Sequence, residues 1–199
     1  MLNLTGWPCL IVGGGAVAAR RARTLIEAGA VVTVVAPALS AGLGGLAVRR
    51  VERAFEPGDV DGARLVVVAT DNPKVNDQVA AAAAAAGALV NRADGGGGGD
   101  SPGELSFMAT RRDGPLTVAV DSGGASAAAA KTLVQTTADA IGPHWPVLLE
   151  EARTRRGALR GDPARLRRLT DEAALDILKR CGRAALIEHL DAVVRGSTA

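Results

Sequence analysis

Three consecutive glycines and a few polar residues carry most of the chemistry this chain can do. Gly13, Gly14 and Gly15 follow the apolar run Cys9-Leu10-Ile11-Val12 and precede an alanine-rich segment from Ala16 and Val17 to Gly29. Strand, glycine turn, helix is the context in which G-x-G-x-x-G/A signals a dinucleotide. Here it reads Gly13, Gly15 and Ala18. The first allows the tight turn, the second lets a pyrophosphate approach the backbone, and the third lets helix and strand pack closely. The helix N-terminus then offers unpaired N–H groups and partial positive charge to the phosphates. A dinucleotide implies hydride transfer, and hydride transfer needs a group to handle a proton.

Candidates for polar contacts stand where other apolar runs end. Thr70 and Asp71 close the run 64–69, where they line the same cleft or cap the helix that follows. Asn76 lies one turn into that helix and faces the cleft or water. Asp94 closes the run 88–91 and precedes five glycines, Gly95 to Gly99. A carboxylate there is either a general acid or base beside a bound substrate or a turn-former next to glycine. The glycine run is a flexible surface loop or a flap beside the site. The acidic residue that holds the ribose in many dinucleotide sites is missing: no Asp or Glu lies between Glu27 and Glu52. Ribose recognition then falls to backbone groups near Ala36 and Pro37, or to a hydroxyl such as Ser40.

These residues need a parallel sheet to bring them together. Strands are expected at 9–12, 30–36, 64–69 and 88–91, with a weaker one at 46–54, alternating with helices at 16–28 and 72–86. The fold class is α/β, a Rossmann-like parallel sheet over residues 1–107. A dimerisation region at 108–140 follows, with a strand at 116–120. A helical C-terminal domain fills 141–199, broken near Gly142-Pro143 and Gly161-Asp162-Pro163, its last helix starting at Thr170 with Asp171 and Glu172 in the first turn.

Composition narrows the function. The 199 residues carry a formal charge of +2, which gives no support to a nucleic-acid or membrane partner. There is no tyrosine, which removes short-chain dehydrogenases that use one as proton donor. No run of ~20 apolar residues and no leader pattern are present, so a cytoplasmic location is expected. Cys9 and Cys181 read as free core thiols. His144 and His189 form no metal-like pair, so no bound metal is expected. The arginines between 153 and 168 read as a wet helix face.

Taken in order, Gly13-Gly14-Gly15-Ala16-Val17-Ala18, Val35-Ala36-Pro37, Ala69-Thr70-Asp71, Asn76, Asn91 with Asp94, 114–120 and Ser122-Gly123-Gly124-Ala125-Ser126 resemble the N-terminal part of the siroheme synthases, the precorrin-2 dehydrogenase family. The resemblance runs from Trp7 to just past His144. It implies NAD-dependent oxidation of precorrin-2 to sirohydrochlorin on the route to siroheme or cobalamin. It also implies that some members insert a ferrous or cobaltous ion, as a transient partner. In it, Asp94 matches the active-site aspartate and Ser122 the active-site serine of a Ser-Gly-Gly turn with Gly123 and Gly124. A homodimer is implied as well. The substrate is a polycarboxylate, so cations are needed; Arg20, Arg92, Arg111, Arg112 and Lys131 are the candidates, Arg111 and Lys131 foremost. The chain departs from the family in its glycine run, at Ala109 and Ala127, and at Ala130-Lys131-Thr132-Leu133, where the family is arginine-rich. A second reading, from the fingerprint alone, is a nucleotide-sensing module without chemistry.

Overall fold

The computed structural model describes residues 2–93, 105–123 and 125–196. It divides into two compact units, 1–107 and 108–199. The first holds five parallel strands, β1 (Pro8–Val12), β2 (Val31–Val35), β3 (Val48–Val51), β4 (Leu65–Val68) and β5 (Leu89–Arg92), in the spatial order β3-β2-β1-β4-β5. Helices α1 (Ala16–Glu27) and α2 (Pro73–Ala85) make two of the crossovers. The expected parallel α/β sheet is therefore present. Its central strands are buried on both faces and read as unbroken apolar runs: all four residues of β4 are buried. The weak strand expected at 46–54 shrinks to the four residues of β3, because its arginines suit only an edge.

Register brings the ligand side together. Val12 pairs with Val35 on one side and Val68 on the other. The residues that leave these strands, Gly13, Ala36 and Ala69, therefore emerge at one edge. Helix α1 buries Ala18, Ala19, Ala22 and Leu25, an i, i+3, i+4 stripe of small residues closed by a leucine. Full burial of a leucine side chain contributes about 1.5–3 kcal/mol. Asn72 caps α2 by accepting from the N–H groups of Lys74 and Val75, with Pro73 at the first helical position. Cys9 is buried, which pushes its thiol up to about 11 and makes it inert at neutral pH.

The second unit begins with the antiparallel pair β6 (Ala109–Asp113) and β7 (Leu116–Val120). The linking region, expected to carry one or two strands, carries two; β6 has the weaker signal, because Arg111, Arg112 and Asp113 give it no apolar alternation. The helices α3 (Ala127–Ile141), α4 (His144–Arg155), α5 (Pro163–Arg168) and α6 (Glu172–Arg195) follow. Three sequence expectations need correction here. Asp171 is the N-cap of α6, accepting from Ala174 N–H, rather than part of its first turn. Cys181 is exposed, not a core thiol. Arg155 does not lie on a wet face: it is half-buried and joins a charged cluster between α4 and α6.

Glu151 is the centre of that cluster and is only 6% exposed. Its Oε2 accepts from Arg155 Nη1 at 2.7 Å, and its Oε1 from Arg183 Nη2 at 2.6 Å and Nε at 2.8 Å. Arg155 Nε reaches on to Asp191 at 2.7 Å. Gly182 breaks α6 just before Arg183, with φ 82° that a side chain would resist, and the break delivers the guanidinium to Glu151. Burial alone would raise the Glu151 carboxyl, but hydrogen bonds from Arg183 and Arg155 outweigh it and hold the group below its ordinary value. A carboxyl so lowered adds stability that is complete above its unfolded value of ~4.3 and lost as pH falls through its folded value. Glu151→Ala should cost ~1–3 kcal/mol in urea unfolding, by removing the acceptor that Arg155 and Arg183 share, although Arg155 keeps Asp191 and Arg183 is 63% exposed. Glu151→Gln should flatten the acid limb of the stability profile below pH ~4.3.

Candidate dinucleotide cleft

The turn between β1 and α1 comes closer to neighbouring backbone than any side chain would permit. Gly13 has φ +131°, and a Cβ there would collide with the carbonyl of Ala69. A Cβ on Gly14 would collide with the carbonyl of Ala38. Gly13 N–H donates to Val35 O at 2.9 Å, and Ser40 N–H donates to Gly14 O at 2.8 Å. The turn is thus pinned between the ends of β2 and β4. Gly15 differs from its neighbours, because a Cβ there would meet nothing within 4 Å. The space a side chain would fill is open, directly at the N-cap of α1. No side chain caps that helix and no acidic residue stands in its first turn.

This turn forms the floor of a cleft of about 850 Å³, within the usual size of small-molecule sites. Gly13, Gly14, Gly15, Ala16 and Val17 line it, together with Ala36, Pro37, Thr70 and Asp71. The structure therefore brings together nine of the ten residues expected at the cofactor. The tenth, Asn76, is 2% exposed and does not line the cleft. It faces neither cleft nor water, as its position in α2 had suggested. Instead its Nδ2 donates to Thr70 O at 3.1 Å, and its Oδ1 accepts from Thr70 Oγ1 at 2.6 Å. Asn76 is a positioning residue that fixes the β4–α2 turn. Thr70 Oγ1 is committed to that turn, which leaves Asp71 as the exposed carboxylate of the lining.

An open helix N-terminus, a glycine cradle and an open volume over Gly15 fit the pyrophosphate of a dinucleotide. The acid-free end of β2 is confirmed as Ala36, Pro37 and Ala38. Ser40 also lines the cleft, and its Oγ is buried without a partner. Reading the sequence missed Ala54, Phe55 and Val75, which complete the wall. Phe55 follows the carboxyl end of β3, and the rule that ligands gather beyond those ends could have found it.

Asp94 and Gly124 lie outside the described residues, as does the run Gly95 to Gly99. Ala93, before Asp94, donates its N–H to Val68 O at 2.8 Å, so the described chain stops at the strand-end rim. Asn91 is 3% exposed, and its Nδ2 donates to Leu105 O at 2.8 Å, while Leu105 N–H donates to Val90 O at 2.8 Å. The segment 105–107 is thereby held against β5. Arg92 pairs with Asp77 at 2.8 Å, and Arg20 is exposed on α1.

In the second unit, Ser122 Oγ accepts from Ser126 N–H at 3.2 Å and Asp121 Oδ1 from Gly123 N–H at 3.1 Å. These bonds shape the Ser122-Gly123 turn before α3. Arg111 pairs with Asp139 at 3.0 Å beside a cavity of about 250 Å³, while Arg112 and Lys131 are exposed. Among the described residues, no cluster of His, Cys, Asp and Glu could hold a metal ion. No helix among them is long and apolar enough to cross a membrane.

Residues 1–107 match the family model described as putative NAD(P)-binding. Siroheme synthase of Methylococcus capsulatus (strain Bath) is 42% identical over 136 residues, 66% of this chain and 28% of that protein. Siroheme synthase of Pseudomonas entomophila is 38% identical over 128 residues, 61% of this chain and 26% of that protein. The chain thus spans about a quarter of the length of these relatives. A solved structure described as SirC, precorrin-2 dehydrogenase, superposes with TM-score 0.75 at 23% identity, covering 98% of both chains, and establishes likeness of fold. The chain belongs to the NAD(P)-binding family, and its resemblance to the siroheme synthases and precorrin-2 dehydrogenases is borne out.

The two outer glycines of the turn should separate in experiment. Gly13→Ala forces a Cβ against a carbonyl and should cost at least ~3 kcal/mol of stability in denaturant titration. Gly15→Ala should melt like the parent but bind NAD at least about tenfold more weakly by calorimetry, since its methyl occupies the phosphate's space.

Proposed function

We propose that this chain oxidises precorrin-2 to sirohydrochlorin with NAD as acceptor. The observation that carries this reading is a dinucleotide cleft, with the cradle described above, in a chain whose curated relatives are siroheme synthases. The oxidation removes two electrons and two protons from the macrocycle. Bound in the cleft, nicotinamide supplies the hydride acceptor. The chain must then bind the dinucleotide, orient it and take the remaining proton. Gly13 to Val17 hold the pyrophosphate, and the Thr70 turn, locked by Asn76, supports the side of the cleft at β4.

Asp94 is the proton acceptor in this reading. Its support is the match to the family's aspartate and its place one residue beyond the rim-bound Ala93. Ser122, Gly123, Gly124, Arg111 and Lys131 are assigned by the resemblance to the substrate, whose carboxylates need hydrogen-bond donors and cations. Insertion of a ferrous or cobaltous ion into the product would draw on the same carboxylate, since a base must take the pyrrole protons. The cytoplasm is the compartment this chemistry suits.

Anaerobic incubation with precorrin-2 and NAD should raise NADH absorbance and produce the visible spectrum of sirohydrochlorin; folded protein without turnover overturns the reading. Asp94→Asn should lower kcat by about 10²–10⁴-fold while NAD affinity stays at the parental value. If Asp94→Asn leaves turnover intact, Asp94 is a turn-former. Sirohydrochlorin with ferrous or cobaltous ion and no NAD tests chelation separately.

Assembly belongs to the same proposal. A homodimer through residues 108–140 is supported by the two-stranded β6–β7 sheet, which has two outer edges, and by Leu133 of α3, which is 52% exposed. Unpaired edges and exposed leucines favour a covering partner. Light scattering should give twice the 20.1 kDa of one chain; a mass near that of one chain overturns the dimer.

A further inference from the structure

The end of β3 presents an aromatic ring to the cleft on a loop fastened from both sides. Phe55 lines the cleft and packs on the buried cluster beneath it, beside Val75 of α2, which does both as well. Aromatic residues make up 2% of this chain, so a ring at this edge is unusual in composition. Arg53 precedes it and Asp59 follows it. Arg53 Nη1 donates to Asp59 Oδ2 at 2.8 Å and Nη2 to Asp59 Oδ1 at 2.6 Å, a bidentate fork. The same Nη1 donates to Ala54 O at 2.8 Å. Asp59 also accepts from Glu56 N–H at 2.8 Å, and its own N–H donates to Glu56 O at 2.9 Å. The Arg53 guanidinium holds the Asp59 carboxyl below the usual range, so the clasp is intact at neutral pH.

Topology identifies which half of a dinucleotide meets this ring. The pyrophosphate belongs at the N-terminus of α1, over β1. The adenosine ribose belongs at the end of the next strand, β2, about 20 residues on in the usual pattern. β3 lies outside β2 in the sheet. The base beyond that ribose therefore lies on the β3 side of the pyrophosphate, where the loop after β3 packs beside the first turn of α2. There the wall is Phe55, Val75, Pro37 and Ala54, with no charged side chain among them. An apolar wall with an aromatic face suits a flat heterocycle, and a ring already held in place loses little freedom when the base arrives.

We propose that Phe55 is the face on which the adenine of the dinucleotide stacks, and that the Arg53–Asp59 clasp presents it. The inference rests on the cleft being a dinucleotide site and assigns its base-binding end. Stacking of a base on an aromatic side chain is worth a factor of about ten or more in affinity.

Calorimetry on the full chain tests this, with ADP-ribose and NAD as ligands and inorganic pyrophosphate as a competitor that lacks the base. Phe55→Leu keeps an apolar side chain on the core but removes the ring. It should weaken ADP-ribose and NAD about tenfold and leave pyrophosphate competition unchanged. Phe55→Trp should bind ADP-ribose at least as tightly as the parent, which a role in packing alone would not produce. Equal affinity of parent and Phe55→Leu for ADP-ribose overturns the proposal. So does an equal loss for ADP-ribose and pyrophosphate, which would mark general damage to the cleft. If the parent binds none of the three, the dinucleotide reading of the cleft falls and this assignment falls with it.

Discussion

The contact on which the first unit depends is backbone against backbone: the glycine turn after β1 against the carbonyls of Ala69 and Ala38. It exists only where side chains are absent. Because Gly13 and Gly14 carry none, the turn sits between the ends of β2 and β4, and α1 starts at the level where those strands stop. Ala18 then meets the sheet with no exposed surface, which a larger residue would prevent. The pinned turn, the small-residue face of α1 and the open volume over Gly15 are three results of one requirement. Each would be lost if the strands were out of register by one residue, since the pleat would send every side chain to the opposite face.

The second unit is organised by a different constraint. Its core lies between α4 and α6 and contains a carboxylate, Glu151, at the level where α6 breaks. An ion pair buried in this way is weak evidence of net stability, because desolvation offsets most of its attraction. It does specify geometry. The break at Gly182 immediately precedes Arg183, which reaches Glu151, and α4 supplies both Glu151 and Arg155 one turn apart. The two units thus differ in what selects their arrangement: apolar packing and close backbone approach in one, a directional charge cluster in the other.

What could be read from the sequence follows the same division. The strands β1, β2 and β4 and both helices of the first unit announce themselves, because unbroken apolar runs and alanine-rich periodicity need no tertiary knowledge. The cleft lining was legible for the same reason, since strand ends and glycines fix it. Asn76 was misplaced because a buried asparagine that locks a turn looks, in sequence, like an exposed one. Phe55 went unnoticed because β3 is a short, charged edge strand whose end is hard to locate. β6 has no apolar alternation of its own and is held by its hairpin with β7, and Arg183, which follows the break at Gly182, meets a partner, Glu151, far along the chain. Arg155 looked like surface charge because nothing local distinguishes it from Arg153, which pairs with Glu150 at 2.8 Å and is 70% exposed. The roles given to Asp94, Ser122 and Lys131 came from resemblance, not from spacing.

The acid-free end of β2 bears on which dinucleotide suits the cleft. In many such sites a carboxylate there binds the ribose hydroxyls and repels a 2′-phosphate. Here Ala36, Pro37 and Ala38 do neither. A 2′-phosphate would nevertheless need compensation for the water it loses, and among the described residues that line the cleft there is no lysine or arginine. Three arginines of this unit are occupied: Arg50 donates to Leu43 O at 2.9 Å, Arg53 is clasped to Asp59, and Arg23 donates to Gly42 O at 3.0 Å. An uncharged ribose loses less on entry and can be met by backbone groups or by the unpartnered hydroxyl of Ser40. Among the described residues, the cleft thus offers neither an anion at the end of β2 to reject a 2′-phosphate nor a cation in its lining to receive one.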